Sequence, residues 1–382
     1  MYSISPEVLN HFEELKSIYR SLHQEPELGY ELPKTSAFVA QYLENLGFTV
    51  ERNIGKSGVV ATTTQHPGPC ILLRADMDAL PIHEESGVEF SSKIPGRMHA
   101  CGHDAHVSML LVAAKIILNL PNLKGSVKFV FQPAEEGGHG ALAMVNDNVL
   151  SNVDEVYAIH TCSPLKLGDF IYHDNQASVF SDRFFVKVLG KGGHGSMPHG
   201  TVDPIPVSAQ LILDFNRLAG NRNDPVRIQT NVVRSNETFN AIPSLVSFSG
   251  SVRSIVECDR EDVKKKMQQI CEGFEVMHGV KIDFKFEKVY EGVKNDLGCG
   301  AFALKAVKKV CHGDRIAKVL HIGEDFSYFS NRKPGAYLLF GVSDEHGYSM
   351  HSNKFKLFEE SLLIGTQFWL NLVQERLGSD NA

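Results

Sequence analysis

The stretch Val127-Lys128-Phe129-Val130-Phe131-Gln132-Pro133-Ala134-Glu135-Glu136 decides the fold, because an apolar run typical of a buried strand leads directly into two carboxylates. Similar β-branched and apolar runs occupy residues 59–63, 71–73 and 156–159. Residues 105–118 are apolar at helical spacing. Strands therefore alternate with helices, which predicts a doubly wound α/β sheet.

Polar side chains follow three of these predicted strands. Asp76 and Asp78 come after the run at 71–73, Glu135 and Glu136 after the run at 127–131, and His160 after the run at 156–159. Open α/β sheets bind ligands at the carboxyl ends of their strands. The sequence therefore predicts that these residues share one site.

Outside this region the pattern changes twice. Residues 6–46 have the apolar spacing of two helices, and the α/β character stops near residue 179. Strands are predicted at 183–189, 226–233, 245–252 and 280–289, with helices at 204–218 and 259–276; this β-α-β-β-α-β order is ferredoxin-like. After residue 295 a helix (299–310), a strand (336–342) and a helix (358–377) follow.

The fold class is therefore α/β, with a catalytic domain formed by residues 1–178 and 295–382 around a mostly parallel sheet flanked by helices. Residues 179–294 form an inserted ferredoxin-like α+β domain.

Composition excludes several classes of function. The chain has 382 residues, is 43% hydrophobic and 22% charged, and carries a net charge of −7, which gives no electrostatic footprint for nucleic acid. Residues 1–17 lack the apolar core of a signal peptide, and no run of about eighteen apolar residues predicts a membrane span. Seven scattered cysteines fit a reducing compartment. We expect a soluble, cytoplasmic protein that does not bind membranes.

A second stretch carries the chemistry: Met98-His99-Ala100-Cys101-Gly102-His103-Asp104-Ala105-His106. Thiolate and imidazole bind borderline-soft divalent metals, and of two adjacent carboxylates one can bind metal while the other moves protons. A lone Cys-x-His is usually incidental, and a Glu-Glu pair is usually a solvated surface. The metal hypothesis depends on combining both with His160 and His351.

A dinucleotide site is the alternative for Gly190-Lys191-Gly192-Gly193-His194-Gly195, which satisfies G-x-G-x-x-G after a predicted strand. However, no helix follows immediately to present its N-terminus to a pyrophosphate, and Asp214, at the expected distance for a ribose ligand, lies inside a predicted helix. The context therefore does not favour nucleotide binding.

The chain resembles the M20 metallopeptidases, and within them the amidohydrolase branch of N-acyl amino acid deacylases, which includes aminoacylases and hippurate-hydrolase-like enzymes. The resemblance covers nearly the whole chain. The matching motifs are residues 22–29, Arg74-Ala75-Asp76-Met77-Asp78-Ala79-Leu80-Pro81, residues 98–106, residues 131–137, Gly190 to His199, Gly323-Glu324-Asp325-Phe326 and Met350-His351-Ser352.

The resemblance implies a centre with two divalent metal ions. Cys101 would be shared by both ions, since a thiolate can bridge two cations about 3.5–4 Å apart. One ion would also bind His103 and His160, and the other would bind Glu136 and His351. Zinc is the metal these ligands favour, although similar sites accept manganese, cobalt or nickel. Taken singly, His160 is equally well explained as a buried histidine at a strand end.

The same resemblance assigns catalytic roles. Glu135 would be the general base that activates the metal-bridged water, with a further metal ligand as its alternative role. Asp78 would orient a ligand histidine. His194 would donate to the oxyanion, either within its own chain or across a dimer interface. Asp76 and His106 are expected to support the ligands without binding metal.

Two further residues match positions that the family uses near the substrate carboxylate, Asn240 and Arg253. A guanidinium suits a carboxylate because it donates two parallel hydrogen bonds, although Arg253 could equally be a surface arginine. His139, His199 and His346 are left as pocket candidates.

We therefore expect a metal-dependent amidohydrolase that cleaves the amide bond of small N-acyl amino acids. The inserted domain would act as a lid and allow a homodimer. Two alternatives remain: a dipeptidase or carboxypeptidase with the same centre, and a catalytically silent module that binds acyl amino acids.

Overall fold

The computed structural model of the chain describes residues 2–64, 66–219, 226–235, 238–311, 314–316 and 323–378. Within these residues the helices are α1 (Pro6–Leu9), α2 (Phe12–Gln24), α3 (Pro33–Asn45), α4 (His103–Ile117), α5 (Gly140–Asn146), α6 (Pro204–Leu218), α7 (Glu257–His278), α8 (Leu297–Val310), α9 (Ser327–Ser330) and α10 (Glu360–Leu377).

The strands of the same residues are β1 (Val50–Ile54), β2 (Gly58–Thr62), β3 (Cys70–Asp76), β4 (Ser126–Gln132), β5 (Glu155–Lys166), β6 (Phe170–Tyr172), β7 (Asn175–Gln176), β8 (Phe180–Leu189), β9 (Gly193–His194), β10 (Val226–Arg234), β11 (Ala241–Ile242), β12 (Leu245–Ser254), β13 (Lys281–Tyr290), β14 (Lys294–Asn295), β15 (Asp314–Ile316) and β16 (Gly335–Ser343).

The described chain divides into two compact units. The first contains the described residues of 2–177 and 293–316 together with 325–378, and the second contains the described residues of 178–292 together with 323–324. The second unit is therefore inserted into the first along the sequence.

The first unit is built on a mixed eight-stranded sheet in the order β1-β2-β4-β3-β5-β16-β6-β15. Its centre is parallel, because β4, β3, β5 and β16 run in the same direction, and antiparallel neighbours lie toward the edges. Strands β3 and β16 are buried along their whole length, as expected for strands covered on both faces. The predicted α/β architecture with a mostly parallel centre is confirmed.

Helix α4 occupies the middle of this unit. Every residue from His103 to Ile117 except Lys115 is buried, and the helix packs against α2, α3 and α10. Its apolar side chains join those of β3, β4 and β5 in one core. The helix is therefore rigidly placed, and so is its first residue, His103.

Parallel pairing aligns the carboxyl ends of the three central strands. In the register of β3 with β4, Asp76 lies beside Gln132, and Arg74 lies beside Ala158 of β5. Asp76 and His160 each stand two residues beyond that last pair. Residues that follow these strands therefore meet at one edge of the sheet.

The second unit contains an antiparallel sheet in the order β10-β12-β8-β13 with two helices, α6 and α7. Both helices pack against the sheet and each other around Phe184, Phe215 and Phe248. Along the chain the elements follow the order β-α-β-β-α-β. The short β9, which is not among the predicted strands, pairs with β11.

None of the helices in the described ranges combines the length and the apolar character needed to cross a membrane.

Candidate metal centre and active site

The five candidate ligands come from four segments at the carboxyl edge of the first unit's sheet. Cys101 lies in the loop before α4, and His103 is the first residue of that helix. Glu136 follows β4, His160 lies within β5, and His351 follows β16. All five belong to the same compact unit.

The turn between Cys101 and His103 requires a glycine. Gly102 has a φ of 80°, in the left-handed region, and a Cβ at this position would lie 2.5 Å from Thr161 Oγ1. The close approach lets Thr161 donate its hydroxyl to the carbonyl of Cys101, at 2.9 Å. The Cys-Gly-His spacing is therefore a packing requirement of the site as well as a ligand pattern.

Two of the histidines have tautomers that suit metal binding. His103 Nδ1 lies 2.7 Å from the backbone carbonyl oxygen of Asp78, and His160 Nδ1 lies 2.7 Å from that of Thr161. A carbonyl can only accept, so each Nδ1 carries the proton and each neutral ring has its lone pair on Nε2. The Nε2 atoms are therefore the atoms that could bind a cation.

The potential ligand atoms converge. His351 Nε2 lies 3.1 Å from Glu136 Oε1 and 3.3 Å from Cys101 Sγ, and His160 Nε2 lies 3.6 Å from Cys101 Sγ. One ligand atom each from Cys101, Glu136 and His351 fall within 4.8 Å of one another, as do atoms of His103, Glu135 and Glu136. Cys101 touches ligands of both proposed ions, which suits a shared thiolate.

The charges of the site also suit a cation. Burial, and then the carboxylates of Glu136 and Glu135, raise the pKa of the Cys101 thiol well above its usual range. For His103, burial is outweighed by Asp76, Asp78 and Glu136, which raise its pKa to about 10. Negative charge is thus in excess, and a divalent cation would stabilise the thiolate and displace the proton from His103.

One buried nitrogen of the site makes no hydrogen bond, although the Asp76 carboxylate lies 3.5 Å from it. His103 is fully buried, and its Nε2 has no hydrogen-bond partner. Burying a polar nitrogen without a partner costs about 1–3 kcal/mol. The residues of the site therefore fit a bound divalent metal.

One ligand atom each from Asp76, His103, His106 and His160 also lie within 4.8 Å of one another. Both ring nitrogens of His106 are, however, engaged in hydrogen bonds to other residues. Its Nδ1 lies 2.5 Å from Asp76 Oδ1, and its Nε2 accepts the Thr161 N–H at 2.9 Å. Burial lowers the pKa of His106 to about 4 despite the nearby Asp76 carboxylate, so the ring stays neutral. Its ring packs on His160, with centroids 4.6 Å apart.

Asp78 fixes the backbone of the two glutamates. Its carboxylate accepts the N–H groups of Glu135, at 2.9 Å, and Glu136, at 3.1 Å. The hydrogen bond from His103 goes to the backbone carbonyl of Asp78, whereas the carboxylate lies 3.6 Å from the ring. Asp78 therefore positions the histidine through its main chain and the glutamates through its side chain.

Glu135 is buried next to the candidate ligands, with 6% of its surface exposed. Its carboxylate oxygen lies within 4.8 Å of a ligand atom of His103 and one of Glu136. The arrangement places a carboxylate beside the proposed metal position without requiring that it bind metal.

Sequence reasoning missed a buried network behind the site. The Arg74 guanidinium donates to Gln132 Oε1 at 2.8 Å and Asp325 Oδ1 at 3.2 Å, and lies 2.8 Å from Asp76 Oδ2. Gln132 Nε2 also donates to Asp325 Oδ1, at 2.7 Å. These residues stand inside the quoted motifs, but only the pairing of β3 with β4 reveals that they meet.

The predicted residues of the second unit lie partly together. His194 is exposed in β9 opposite Ala241, and the Gly195 N–H donates to the Asn240 carbonyl at 2.8 Å. His194 Nδ1 lies 2.9 Å from the Ser196 hydroxyl. Arg253 lies in β12, donates to the Ser181 hydroxyl, and has its pKa lowered by burial.

Of the three pocket candidates, His139 has the clearest contact. Its Nδ1 lies 3.3 Å from the Tyr328 hydroxyl, and it follows Glu136 on the same loop. His199 and His346 are exposed.

Comparisons with known proteins agree with this description. The model of peptidase family M20/M25/M40 matches residues 72–375. Thermostable carboxypeptidase 2 of Saccharolobus solfataricus is 37% identical over 360 residues, which are 91% of each chain. N-acyl-L-amino acid amidohydrolase of Geobacillus stearothermophilus is 38% identical over 302 residues, 76% of this chain and 81% of that protein.

A solved structure from Bacillus subtilis, a dinuclear metal-binding peptidase of the M20 family, superposes with a TM-score of 0.84 and 28% identity, covering 96% of this chain and 98% of the other. The family expected from the sequence motifs is confirmed. The chain belongs to peptidase family M20/M25/M40 and is a hydrolase of C–N bonds.

Proposed function

We propose that the chain is a dinuclear metal-dependent amidohydrolase that removes the acyl group from N-acyl amino acids. The observation that carries this proposal is the convergence of Cys101, Glu136 and His351 beside His103, with Glu135 buried among them. The similarity to an N-acyl-L-amino acid amidohydrolase supports the substrate class.

In this proposal Cys101, His103 and His160 would hold one ion, and Cys101, Glu136 and His351 would hold the other. When bound, the metal ions would polarise the amide carbonyl and lower the pKa of the attacking water. Thiolate and imidazole ligands favour zinc.

Glu135 moves the protons. Its carboxylate takes a proton from the attacking water and then delivers it to the departing nitrogen, so that the amine leaves in neutral form. Asp78 keeps the Glu135 carboxylate in place by accepting its backbone N–H.

His194 donates to the oxygen that becomes negative in the tetrahedral intermediate, because an imidazole N–H can stabilise charge as it develops. Asn240 and Arg253 recognise the substrate carboxylate, to which a guanidinium can donate two parallel hydrogen bonds. Two features support these roles: Asn240 is adjacent to the His194 strand pair, and Arg253 is half-buried on β12.

A substrate panel tests the proposal. Metal-loaded protein is incubated with N-acetyl, N-benzoyl and longer N-acyl amino acids beside dipeptides, and free amine is quantified. We expect release from the N-acyl amino acids. Activity on dipeptides alone would overturn the assignment.

The similarity to a carboxypeptidase makes peptide hydrolysis the second candidate, since the same centre would attack either amide. The same panel separates the two. A chain that binds N-acyl amino acids and releases no amine would instead be a binding module.

A further inference from the structure

The segment between Leu80 and Met98 connects Asp78 to Cys101 of the proposed metal centre. It contains no helix or strand between its ends. Leu80 and Met98 close its base by exchanging two backbone hydrogen bonds of 3.0 Å. We call residues 81–97 the connecting loop.

On one side, the connecting loop binds the core through Glu84. The Glu84 carboxylate lies 3.1 Å from His23 Nε2 and accepts the Ser92 N–H at 2.6 Å. His23 Nδ1 in turn lies 2.6 Å from Asp104 Oδ2. The side chains of His23, Glu84 and Asp104 are all at least 96% buried. Because Asp104 follows His103, Glu84 ties the loop to the start of α4.

On the other side, the next residue of the loop binds the segment that carries His351. The Glu85 N–H donates to the Asn353 carbonyl at 2.7 Å, and Asn353 Nδ2 donates to Glu85 Oε2 at 2.8 Å. These two hydrogen bonds fix both the distance and the relative orientation of Glu85 and Asn353. Asn353 stands only two residues after His351.

The position of the His351 side chain depends on the contacts that hold its backbone segment. Its side chain is 53% exposed, whereas Cys101, His103 and His160 are buried. Its φ of 65° is uncommon for a residue with a side chain, so surrounding contacts must maintain it. Those contacts are the His351 N–H to the Ala100 carbonyl, at 2.8 Å, and the packing of Met350 and Phe355 near the base of the connecting loop.

We propose that Glu85 and Asn353 are positioning residues for the metal ion bound by Cys101, Glu136 and His351. Glu84 and Glu85 together connect this ion's histidine segment to the helix that provides His103. The inference rests on the dinuclear centre of the proposed function. It concerns the geometry of that centre and not the identity of its substrate.

Zinc titration of the full-length apoprotein tests this inference. Isothermal calorimetry on the unmodified chain should resolve two zinc sites. Asn353→Ala and Glu85→Ala should each weaken one of them about three- to tenfold and leave the other unchanged, because each removes a hydrogen bond that orients a ligand segment. Glu85→Gln keeps an acceptor oxygen for Asn353 and should restore wild-type affinity.

A double variant that combines His351→Ala with Asn353→Ala identifies which zinc site is weakened. In His351→Ala, which removes the ligand itself, adding Asn353→Ala should leave the remaining zinc affinity unchanged. Glu89→Ala, an exposed carboxylate of the same loop, is the matched control for loss of charge and should behave as wild type. Equal weakening of both sites, or wild-type affinities in both Asn353→Ala and Glu85→Ala, would overturn the proposal.

Hydrolysis of an N-acetyl amino acid by the unmodified chain is measured in parallel. If the unmodified chain hydrolyses the substrate but Asn353→Ala and Glu85→Ala do not weaken one zinc site selectively, only the positioning role is refuted. If one zinc site is weakened selectively but the unmodified chain does not hydrolyse the substrate, the proposed function is refuted and the positioning role is supported.

Discussion

At the residue scale, the proposed centre depends on which nitrogen of each histidine carries the proton. Backbone carbonyls set this for His103 and His160, so both rings direct Nε2 toward the site. His106 shows the contrast, because both of its nitrogens are used by Asp76 and Thr161. Three similar side chains thus acquire different chemistry from their hydrogen-bond partners.

The shared position of Cys101 leads to the first prediction. Cys101→Ala should reduce the affinity for both metals together, whereas His103→Ala should mainly reduce one, because the Cys101 thiol lies within 3.6 Å of histidines from both proposed ligand sets. Metal content after dialysis, measured by mass spectrometry, checks this. Loss of a single ion in Cys101→Ala would show that the thiolate is not shared.

Asp78 gives a prediction for turnover. Asp78→Asn leaves one acceptor oxygen where two backbone N–H groups are bound, and its amide group would face the other N–H. We expect kcat to fall about 10- to 100-fold. Steady-state kinetics with metal content measured in the same samples check this. Asp147→Asn, which alters a carboxylate bound to the Gly55 N–H elsewhere, is the control, and equal kcat values for the two variants would contradict the role.

At the scale of elements, polar residues at the buried ends of strands and helices make the contacts that position the proposed metal centre. Helix α4 is buried almost throughout, so its first turn cannot shift without disturbing the core. The same principle operates in the second unit, where a buried ion pair joins α7 to β8: Arg260 Nη2 lies 2.5 Å from Asp182 Oδ1.

That ion pair gives a prediction for stability. Asp182→Asn should lower the free energy of unfolding by about 3 kcal/mol, because it leaves the Arg260 charge buried without its main partner. Combining it with Arg260→Met should recover part of the loss. Urea unfolding measures both, and Glu287→Gln, at an exposed ion pair, should change stability by less than about 1 kcal/mol. An Asp182→Asn effect no larger than the control would be inconsistent with this account.

Sequence patterns predicted the helices and strands that bury many apolar residues, but they did not predict strands of only two residues. The runs that became β3 and β4 are nearly continuous in apolar residues, and α4 is apolar at helical spacing. The two-residue β9 has no such signal, since its pairing with β11 depends on tertiary contact. The resemblance implied that Asp78 orients a ligand histidine, but which of its atoms does so could not be predicted: the backbone carbonyl contacts His103, and the carboxylate accepts two backbone N–H groups.

At the scale of the whole molecule, the proposed roles divide between the two compact units. The five proposed ligands, Glu135 and Asp78 lie in the first unit, whereas His194, Asn240 and Arg253 lie in the second. Under the proposed function, metal binding requires residues of one unit, and turnover requires residues of both. Substitution of His194, Asn240 or Arg253 should therefore alter kinetics while metal content is maintained.

Stability of the whole chain should depend on pH through His23. Burial opposes its charge, but Asp104 and Glu84 raise the pKa of His23 to about 9. A raised pKa stabilises the fold fully below the unfolded value of about 6.5, and the contribution is lost as pH rises through 9. This increase in the pKa of His23 is equivalent to about 3 kcal/mol of folding free energy. The effect of His23→Gln on unfolding should therefore be larger at pH 6 than at pH 9.5.

Glu84 sets the acidic limit of the same contribution. Despite its burial, His23 and Ser86 lower its pKa to about 2, so its stabilisation is present above about pH 4.3 and is lost as pH falls through 2. Urea unfolding of His23→Gln at several pH values checks the window, with the exposed His66→Gln as control. A destabilisation that is independent of pH between 6 and 9.5 would contradict the charged state of His23.

The central claim is that a two-metal centre with Glu135 as its base hydrolyses N-acyl amino acids. The most direct measurement compares the release of free amine from an N-acetyl amino acid by metal-loaded wild-type protein and by Glu135→Gln, with metal content determined on the same samples. We predict two ions per chain in both proteins and a loss of nearly all turnover in Glu135→Gln. Wild-type protein that carries two ions and releases no amine, or a Glu135→Gln variant that keeps wild-type turnover, would contradict the claim.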